Sequence, residues 1–382
     1  MNGNLRIFFA GDFCSKPPAS IITVSDDLKS LIQSCDLRLV NFEVPLKPEI
    51  ELQPQVRERF FQNDDTPDFL RGLGFNLFSQ ANNHAFDWDD AGFIKTKAAL
   101  GDAAFGAGTY EEAYRVKVVE IEGLKVGFYA LSFAAYKGVF DDVTNHDGLG
   151  CAYINDLRVN HDIMEAKKQL DYLFILPHDG IEYIDVPTPE IIARYHDFID
   201  YGADGVIAAH PHCPQGWEEY KGKPIFYSLG NFLFNSKESY DFCANKPHWY
   251  EGICVVMTIA DGTISCEVVN TKNVKNIGVE LDHDQDRNMY NEQLCKYLIN
   301  HEEYDRYFKK VCKQLGQERE MQIIDRTFHP KSLSKCTKLI MRHWFDRIKR
   351  KDFTNDDELV YLIINDQRRN VVIRSIKNSK FK

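Results

Sequence analysis

The segment His210-Pro211-His212 sets two imidazoles at i and i+2. In an extended turn such a pair points its rings to opposite sides of the backbone. That suits giving one imidazole to each of two neighbouring metal ions. Groups of the same kind recur upstream: Asp12 after Gly11, Glu43 after Asn41-Phe42, Asn82-Asn83-His84, and His178-Asp179-Gly180. Carboxylate, carboxamide and imidazole without a thiolate cluster form the ligand set of a hard-to-borderline divalent cation. A carboxylate such as Glu43 has two oxygens and can bridge two ions. Two metals roughly 3.5–4 Å apart can clamp a phosphoryl group, acidify a bridging water, and stabilise both attacking and leaving oxygens. His84, beside a ligand, is suited to protonate the leaving alkoxide.

Each of these groups follows an apolar run. Strands are expected at 5–10, 37–41, 77–80, 116–120, 125–130, 172–177, 205–209 and 224–228, alternating with helical patterns. That alternation argues for an α/β layered fold, and loops at the carboxyl ends of such strands converge on one rim. Glu122-Gly123 and Asp261-Gly262 signal hairpins. Thr66-Pro67 and Thr188-Pro189 each offer an N-cap followed by proline at the first helical position. The second helix keeps Ile191, Ile192, Tyr195, Phe198 and Ile199 on one stripe, and Gly202 can close it. Beyond Phe234 the pattern changes, and from about 287 it is mainly helical, through 304–315 and 333–349. Short runs at 359–364 and 371–376 fit strands or a last helix. Two domains are expected, at 1–280 and 281–382.

In family order, the pieces match a known group: Gly11-Asp12; Asn41-Phe42-Glu43 with Pro45; Ala81-Asn82-Asn83-His84 with Asp87; Gly106-Ala107-Gly108; His178 with Gly180, Glu182 and Tyr183; Gly202-Ala203-Asp204; His210-Pro211-His212 with Gln215; and Tyr227 to Phe232. The chain resembles the CapA family of capsule and poly-γ-glutamate synthesis, in the calcineurin-like metallophosphoesterase superfamily, over residues 5–234. The resemblance implies a four-layer α/β/β/α sandwich with a two-metal centre of Mn²⁺, Fe²⁺ or Zn²⁺. Asp12 and His212 would hold the first ion, Glu43 would bridge, and Asn83, His178 and His210 would hold the second. His84 would be the general acid. Asp87, Glu182, Asn231 and Cys14 are expected around these ligands. Two departures stand out. Cys14 occupies a position that is histidine in the wider superfamily, and Ala208 replaces the glycine usual before the His-x-His pair. The implied activity is a two-metal phosphoesterase acting on an anionic phosphorylated sugar or polymer. A non-hydrolytic role in polymer assembly and γ-glutamyl amide hydrolysis are the alternatives.

Composition sets the limits. Of 382 residues, 44% are hydrophobic and 27% charged, which excludes wholesale disorder. The net charge of −11 disfavours a nucleic-acid binder. It is uneven: residues 301–382 hold 20 Lys+Arg against 12 Asp+Glu, leaving 26 against 45 before them. This basic tail, with clusters at 347–351 and 368–369, fits a solvated helical face or a docking element. No window reaches the roughly 18–20 apolar residues of a membrane span, and the first apolar run is too short for a signal peptide. The 10 cysteines form no CxxC pair, as expected of free thiols in a reducing compartment. A soluble, cytoplasmic protein is therefore expected. Cys14 reads as a small buried hydrophobe. His146, His161 and His196 lack metal-type partners at useful spacing. Trp88, Phe133, Tyr136, Phe140, Trp217 and Trp249 are groove candidates, though packing explains most of them. Residues 132–151 are the candidate substrate-shaping loop.

Overall fold

The computed structural model describes residues 4–50, 59–134, 138–140, 148–235, 246–275 and 277–327, with 316–327 as backbone alone. The chain divides into two units, Met1–Asn300 and His301–Lys382. Among the described residues the first unit holds two large sheets. The larger runs Thr23–Val24, Gly278–Leu281, Thr263–Val274, Glu251–Ala260, Leu5–Ser15, Leu37–Phe42, Leu77–Ser79 and Ala104–Phe105, with Asn231–Asn235 also paired to Leu5–Ser15. The smaller runs Trp217–Tyr220, Lys223–Phe226, Gly205–Ile207, Tyr172–His178, Leu124–Ser132 and Lys117–Ile121.

Strand alternation decides the layers. Leu5, Ile7 and Phe9 face the other sheet and meet Phe128 and Phe174 in one core between the sheets. Phe8, Ala10 and Val40 face the opposite way, against Leu28, Ile32, Leu70 and Leu73 of helices Asp26–Gln33 and Thr66–Leu73. Helices Leu157–Lys167 and Pro189–Asp200 cover the outer face of the smaller sheet. The result is the α/β/β/α sandwich.

Both expected hairpins form, Lys117–Ile121 with Leu124–Ser132 and Glu251–Ala260 with Thr263–Val274. Helix Pro189–Asp200 starts at Thr188, whose hydroxyl accepts the Ile191 N–H at 3.4 Å. Gly202, at φ +120°, lies just past its end, where a side chain is disfavoured. The Thr66-Pro67 helix differs from expectation: Asp65 is the N-cap and Thr66 is already helical and buried.

The first strand also runs further than 5–10, to Ser15, and so carries Gly11 and Asp12 inside the sheet. Its register shifts between Ala10 and Asp12 against one neighbour, and between Asp12 and Phe13 against the other. Gly11 makes the irregularity possible, because a Cβ there would lie 1.9 Å from the Gly230 carbonyl oxygen. The Asp12 N–H donates to that same oxygen at 3.0 Å.

Charge and periodicity put a boundary near 280; in the structure helix Gln285–Ile299 follows, within the first unit. The Trp217 N–H points to Cys295 Sγ at 3.5 Å, and a Cβ on Gly216 would sit 2.8 Å from the Leu294 backbone. The second unit begins with helix His301–Thr327, which includes the expected 304–315. The runs at 333–349, 359–364 and 371–376 and both basic clusters lie outside the described residues. Among the described residues no helix is long and apolar enough to cross a membrane.

Candidate metal centre

The two central strand ends bring the acidic ligands together. Asp12 sits in the bulge of the first strand, and Glu43 follows Leu37–Phe42, with its N–H donating to the Phe13 carbonyl at 3.3 Å. Tyr172–His178 ends on His178 itself, and a bridge joins His178 to Ala209 just before His210. His210 and His212 both adopt positive φ, +105° and +57°. Such strain in non-glycine residues persists only where surrounding contacts fix it. One such contact is the His210 N–H, which donates to Asp12 Oδ2 at 3.1 Å.

Two trios result. Ligand atoms of Asp12, Glu43 and His212 lie within 4.8 Å of one another, as do those of Glu43, His178 and His210. Glu43 is common to both. Asn83 joins the second trio, its Oδ1 lying 2.8 Å from His178 Nε2, and His210 Nδ1 lies 3.1 Å from that nitrogen. The i, i+2 histidines thus part company, one to each trio.

Hydrogen bonds set the imidazole tautomers. Asn41 Nδ2 donates to Asp12 Oδ1 at 2.7 Å and faces His178 Nδ1 at 3.1 Å. His178 Nδ1 is therefore an acceptor, and its Nε2 faces the Asn83, His210 and Glu43 side. Asn231 Nδ2 donates to the carbonyls of His212 and Trp249, at 3.3 and 3.0 Å. Its Oδ1 must then accept from His212 Nδ1, 2.9 Å away, which leaves Nε2 as the basic nitrogen, 3.6 Å from Glu43 Oε1. Asp87 Oδ2 accepts from the Phe60 N–H at 3.1 Å and faces His84 Nδ1 at 2.8 Å. That turns His84 Nε2 toward Glu43 Oε1 at 4.0 Å.

Asp12 and Glu43 are completely buried, and among the described residues neither Glu43 oxygen has a hydrogen-bond partner. A buried carboxylate without donors is costly. Burial raises the Glu43 pKa well above the usual carboxylate range, with the charges of Asp12 and Glu182 adding to it. Burial also raises Asp12, opposed by the charge of His212 and the Asn41 bond. Burial, then the neighbouring His210, His212 and His84, pushes His178 well below the usual imidazole value. Imidazoles gathered around a carboxylate starved of donors are what divalent cations would complete. The donor set fits such ions.

The other expected residues fall as follows. Cys14 is fully buried in an apolar cluster with Val44, Phe234 and Trp249 and belongs to neither trio. Glu182 is half-buried beside the site and acts on it through its charge. Of the groove candidates, Phe133 packs on His210 with centroids 4.4 Å apart and Trp249 on His212 at 5.1 Å. Phe140 packs on Tyr110 and Trp217 on Phe226. His161 is exposed. His196 has an acidic partner that its spacing does not show. Its ring stacks on Tyr220 at 3.8 Å and its Nε2 meets Glu218 Oε1 at 2.6 Å, a partner brought by the fold rather than by spacing. Tyr136, His146 and half of the 132–151 loop lie outside the described residues.

Sequence reasoning gave Asn41 no role, although i, i+2 alternation places it on the same side as Glu43. It also gave none to helix Gln285–Ile299. From that helix Arg287 pairs with Glu251, which His248 meets at 2.7 Å, and Tyr290 donates to Asp185 at 2.6 Å. Those partners flank Trp249 and Tyr183, two of the three aromatics on His212, the third being Phe234.

Fold and site together define an α/β/β/α sandwich with buried acidic and imidazole groups at its rim that could hold a metal ion. The chain belongs to the family described as bacterial capsule synthesis protein PGA_cap, whose model matches residues 6–236. It is similar to the capsule biosynthesis protein CapA of Bacillus anthracis, 28% identical over 206 residues, 51% of this chain and 49% of that one. The PGA biosynthesis protein CapA of Bacillus subtilis (strain 168) is 26% identical over 219 residues, 54% of this chain and 56% of that one. A probable polyglutamine synthesis accessory protein of Mycobacterium tuberculosis is 27% identical over 210 residues, 52% and 55% of the two chains. The chain thus spans about half the length of the curated relatives it matches. Among solved structures, a phosphatase from Mycoplasma pneumoniae superposes with a TM-score of 0.44 at 16% identity, covering 71% of this chain and 94% of that one.

Proposed function

We propose that the protein is a metal-dependent hydrolase, a two-metal phosphoesterase acting on a phosphorylated sugar or polymer in capsule or poly-γ-glutamate biosynthesis. The observation that carries this reading is Glu43: fully buried, with no donor to either oxygen among the described residues, and common to both ligand trios. Asp12, Glu43 and His212 would hold one ion, and Glu43, Asn83, His178 and His210 the other; Mn²⁺, Fe²⁺ and Zn²⁺ suit these donors. When bound, such a pair supplies Lewis acidity toward a phosphoryl group and lowers the pKa of a neighbouring water.

The chain's own part is orientation and proton transfer. Asn231 fixes the ring of His212 with a bare Nε2 toward the site. Asn41 fixes the position of the His178 ring, whose Nε2 proton must leave when the site loads. Asp87 holds His84 at Nδ1 and stabilises its imidazolium, whose Nε2–H faces the site and can pass to a leaving oxygen.

The test is hydrolysis of bis(p-nitrophenyl) phosphate and p-nitrophenyl phosphate by chelator-free protein with Mn²⁺, Zn²⁺, Mg²⁺ or Fe²⁺, with the metal content measured by mass spectrometry. Turnover that His84→Ala lowers at least about tenfold at unchanged metal content supports the reading. No turnover with any of the four metals overturns it. The relatives' names, all of biosynthesis rather than hydrolysis, favour a second reading in which the loaded site orients an anionic polymer without cleaving it. Polymer binding that survives chelation and Asp12→Ala would support that alternative.

A further inference from the structure

We propose that Asn82 is the positioning residue that holds the proton donor His84 in register with Glu43. This rests on the reading of His84 as the proton donor.

Asn82 is 2% exposed, and its carboxamide joins two elements. Its Oδ1 accepts the His84 N–H at 3.1 Å, closing an i to i+2 turn of the Asx kind. Its Nδ2 donates to the Phe42 carbonyl at 3.1 Å, and Phe42 ends strand Leu37–Phe42 directly before Glu43. Both partners have fixed roles, one a backbone N–H and the other a carbonyl, so the carboxamide sits one way round. The same Nδ2 lies 3.5 Å from Oδ1 of Asn41, whose own Nδ2 donates to Asp12. One side chain thus connects the backbone of His84 to the strand end that carries Glu43.

The sheet leaves this connection to a side chain. Strands Leu37–Phe42 and Leu77–Ser79 pair in parallel up to Asn41 and Ser79. Beyond that pair the Gln80 N–H turns to the Phe105 carbonyl on the opposite side, at 2.9 Å. The amide of Asn82 then meets the next carbonyl, that of Phe42, as a strand N–H would. Asp87 and Phe60 act on the imidazole itself, at Nδ1 and edge-on. They set the direction of the ring, whereas Asn82 sets where its backbone stands relative to Glu43. The outcome is His84 Nε2 at 4.0 Å from Glu43 Oε1. Proton transfer demands such placement, because a displacement of roughly 1 Å can cost about 100-fold in rate.

The experiment compares the full chain as wild type, Asn82→Ala and Asn82→Ser, loaded with Mn²⁺. Alanine removes both bonds, while a serine hydroxyl can still accept the His84 N–H but is too short to reach Phe42. In both variants kcat for phenyl phosphate, a poor leaving group, should fall about tenfold or more. The p-nitrophenyl ester, whose leaving group needs no proton, should lose less, with KM for each ester within about twofold of wild type. Metal content by mass spectrometry should stay unchanged. Amide hydrogen exchange of the same proteins reads the tether without turnover: residues 83–87 should exchange faster in Asn82→Ala, with helix Asp26–Gln33 unchanged. Equal losses for the two esters, metal lost from both variants, or unaltered exchange at 83–87 would overturn the proposal and leave the hydrolase reading standing. Wild type inert toward both esters overturns the hydrolase reading, and the role of Asn82 in placing a proton donor falls with it.

Discussion

Replacing Glu43 by glutamine should stabilise the metal-free protein and destabilise the metal-loaded one. Both Glu43 oxygens are buried without donors among the described residues, beside Asp12. An unsatisfied buried polar group costs about 1–3 kcal/mol, and glutamine keeps the shape while removing the charge. The pH dependence sharpens the sign. The folded pKa of Glu43 lies above its ordinary value of 4.5. Above that value the native state therefore holds a proton that the unfolded chain has released, and stability falls as pH rises until the folded pKa is passed. Glutamine does not titrate. In chelator, Glu43→Gln and wild type should match near the low-pH end of the folded range and diverge on raising the pH, to about 1–3 kcal/mol in favour of the variant. In excess Mn²⁺ the order should invert. A ligand at about 100 times its dissociation constant adds about 2.7 kcal/mol to wild type, and the variant, lacking the shared carboxylate, forfeits most of it. Urea unfolding of the full chain, with and without metal at several pH values, reads all four quantities. A variant less stable than wild type in chelator at high pH, with an undiminished metal response, would refute the reasoning.

Asp87→Asn should leave metal content unchanged and lower turnover of a poorly activated phosphodiester about tenfold or more, with a smaller loss for a p-nitrophenyl ester, because only the former needs the His84 proton. Asn231→Ala frees the His212 ring, so titration calorimetry should show one of two metal sites weakened by about 10–100-fold with the other retained. Gly11→Ala forces a methyl group against the Gly230 carbonyl and should cost about 3 kcal/mol or more by denaturant unfolding. Arg287→Met removes the tie between helix Gln285–Ile299 and Glu251. Faster hydrogen exchange should follow at residues 246–251, with no change at helix Asp26–Gln33 on the far layer.

Much of the site was legible because ligand chemistry restricts residue type and strand ends restrict place. Asp12, Glu43, Asn83, His178, His210 and His212 each follow an apolar run, and the structure brings all six together. What spacing does not carry is the manner of arrival. A run that ends at Ala10 by hydropathy goes on to Ser15, because strand Asn231–Asn235, also readable as a turn, pairs with its second half. Hydropathy marks where a strand leaves the core, while hydrogen bonding marks where it stops. Asp12 is therefore held on both sides by sheet neighbours, stiffer than a loop aspartate would be. The pairing of His196 with Glu218 was invisible for the complementary reason, since both lie on outward faces whose contacts depend on how the smaller sheet and its covering helix register.

Helix Gln285–Ile299 shows where a family resemblance and a physical unit part company. The matched residues end at 236, and every proposed metal ligand lies before that point. Yet Trp249, packed on His212, comes later, and its flanking residues His248 and Glu251 are tied to Arg287 and Tyr290 of the helix. Tyr290 also reaches Asp185, two residues from Tyr183, whose ring lies on the same imidazole. One helix thus reaches two of the three segments whose rings press on His212, the third carrying Phe234, while His178 and His210 are backed by Phe133 from the centre of the fold. The two halves of the ligand set therefore differ in support. The His178 side is held by core strands within the matched region, and the His212 side by Tyr183, Asn231 and Phe234 of that region together with Trp249 from beyond it. A truncation at 236 would keep every proposed ligand and still remove part of the packing on His212.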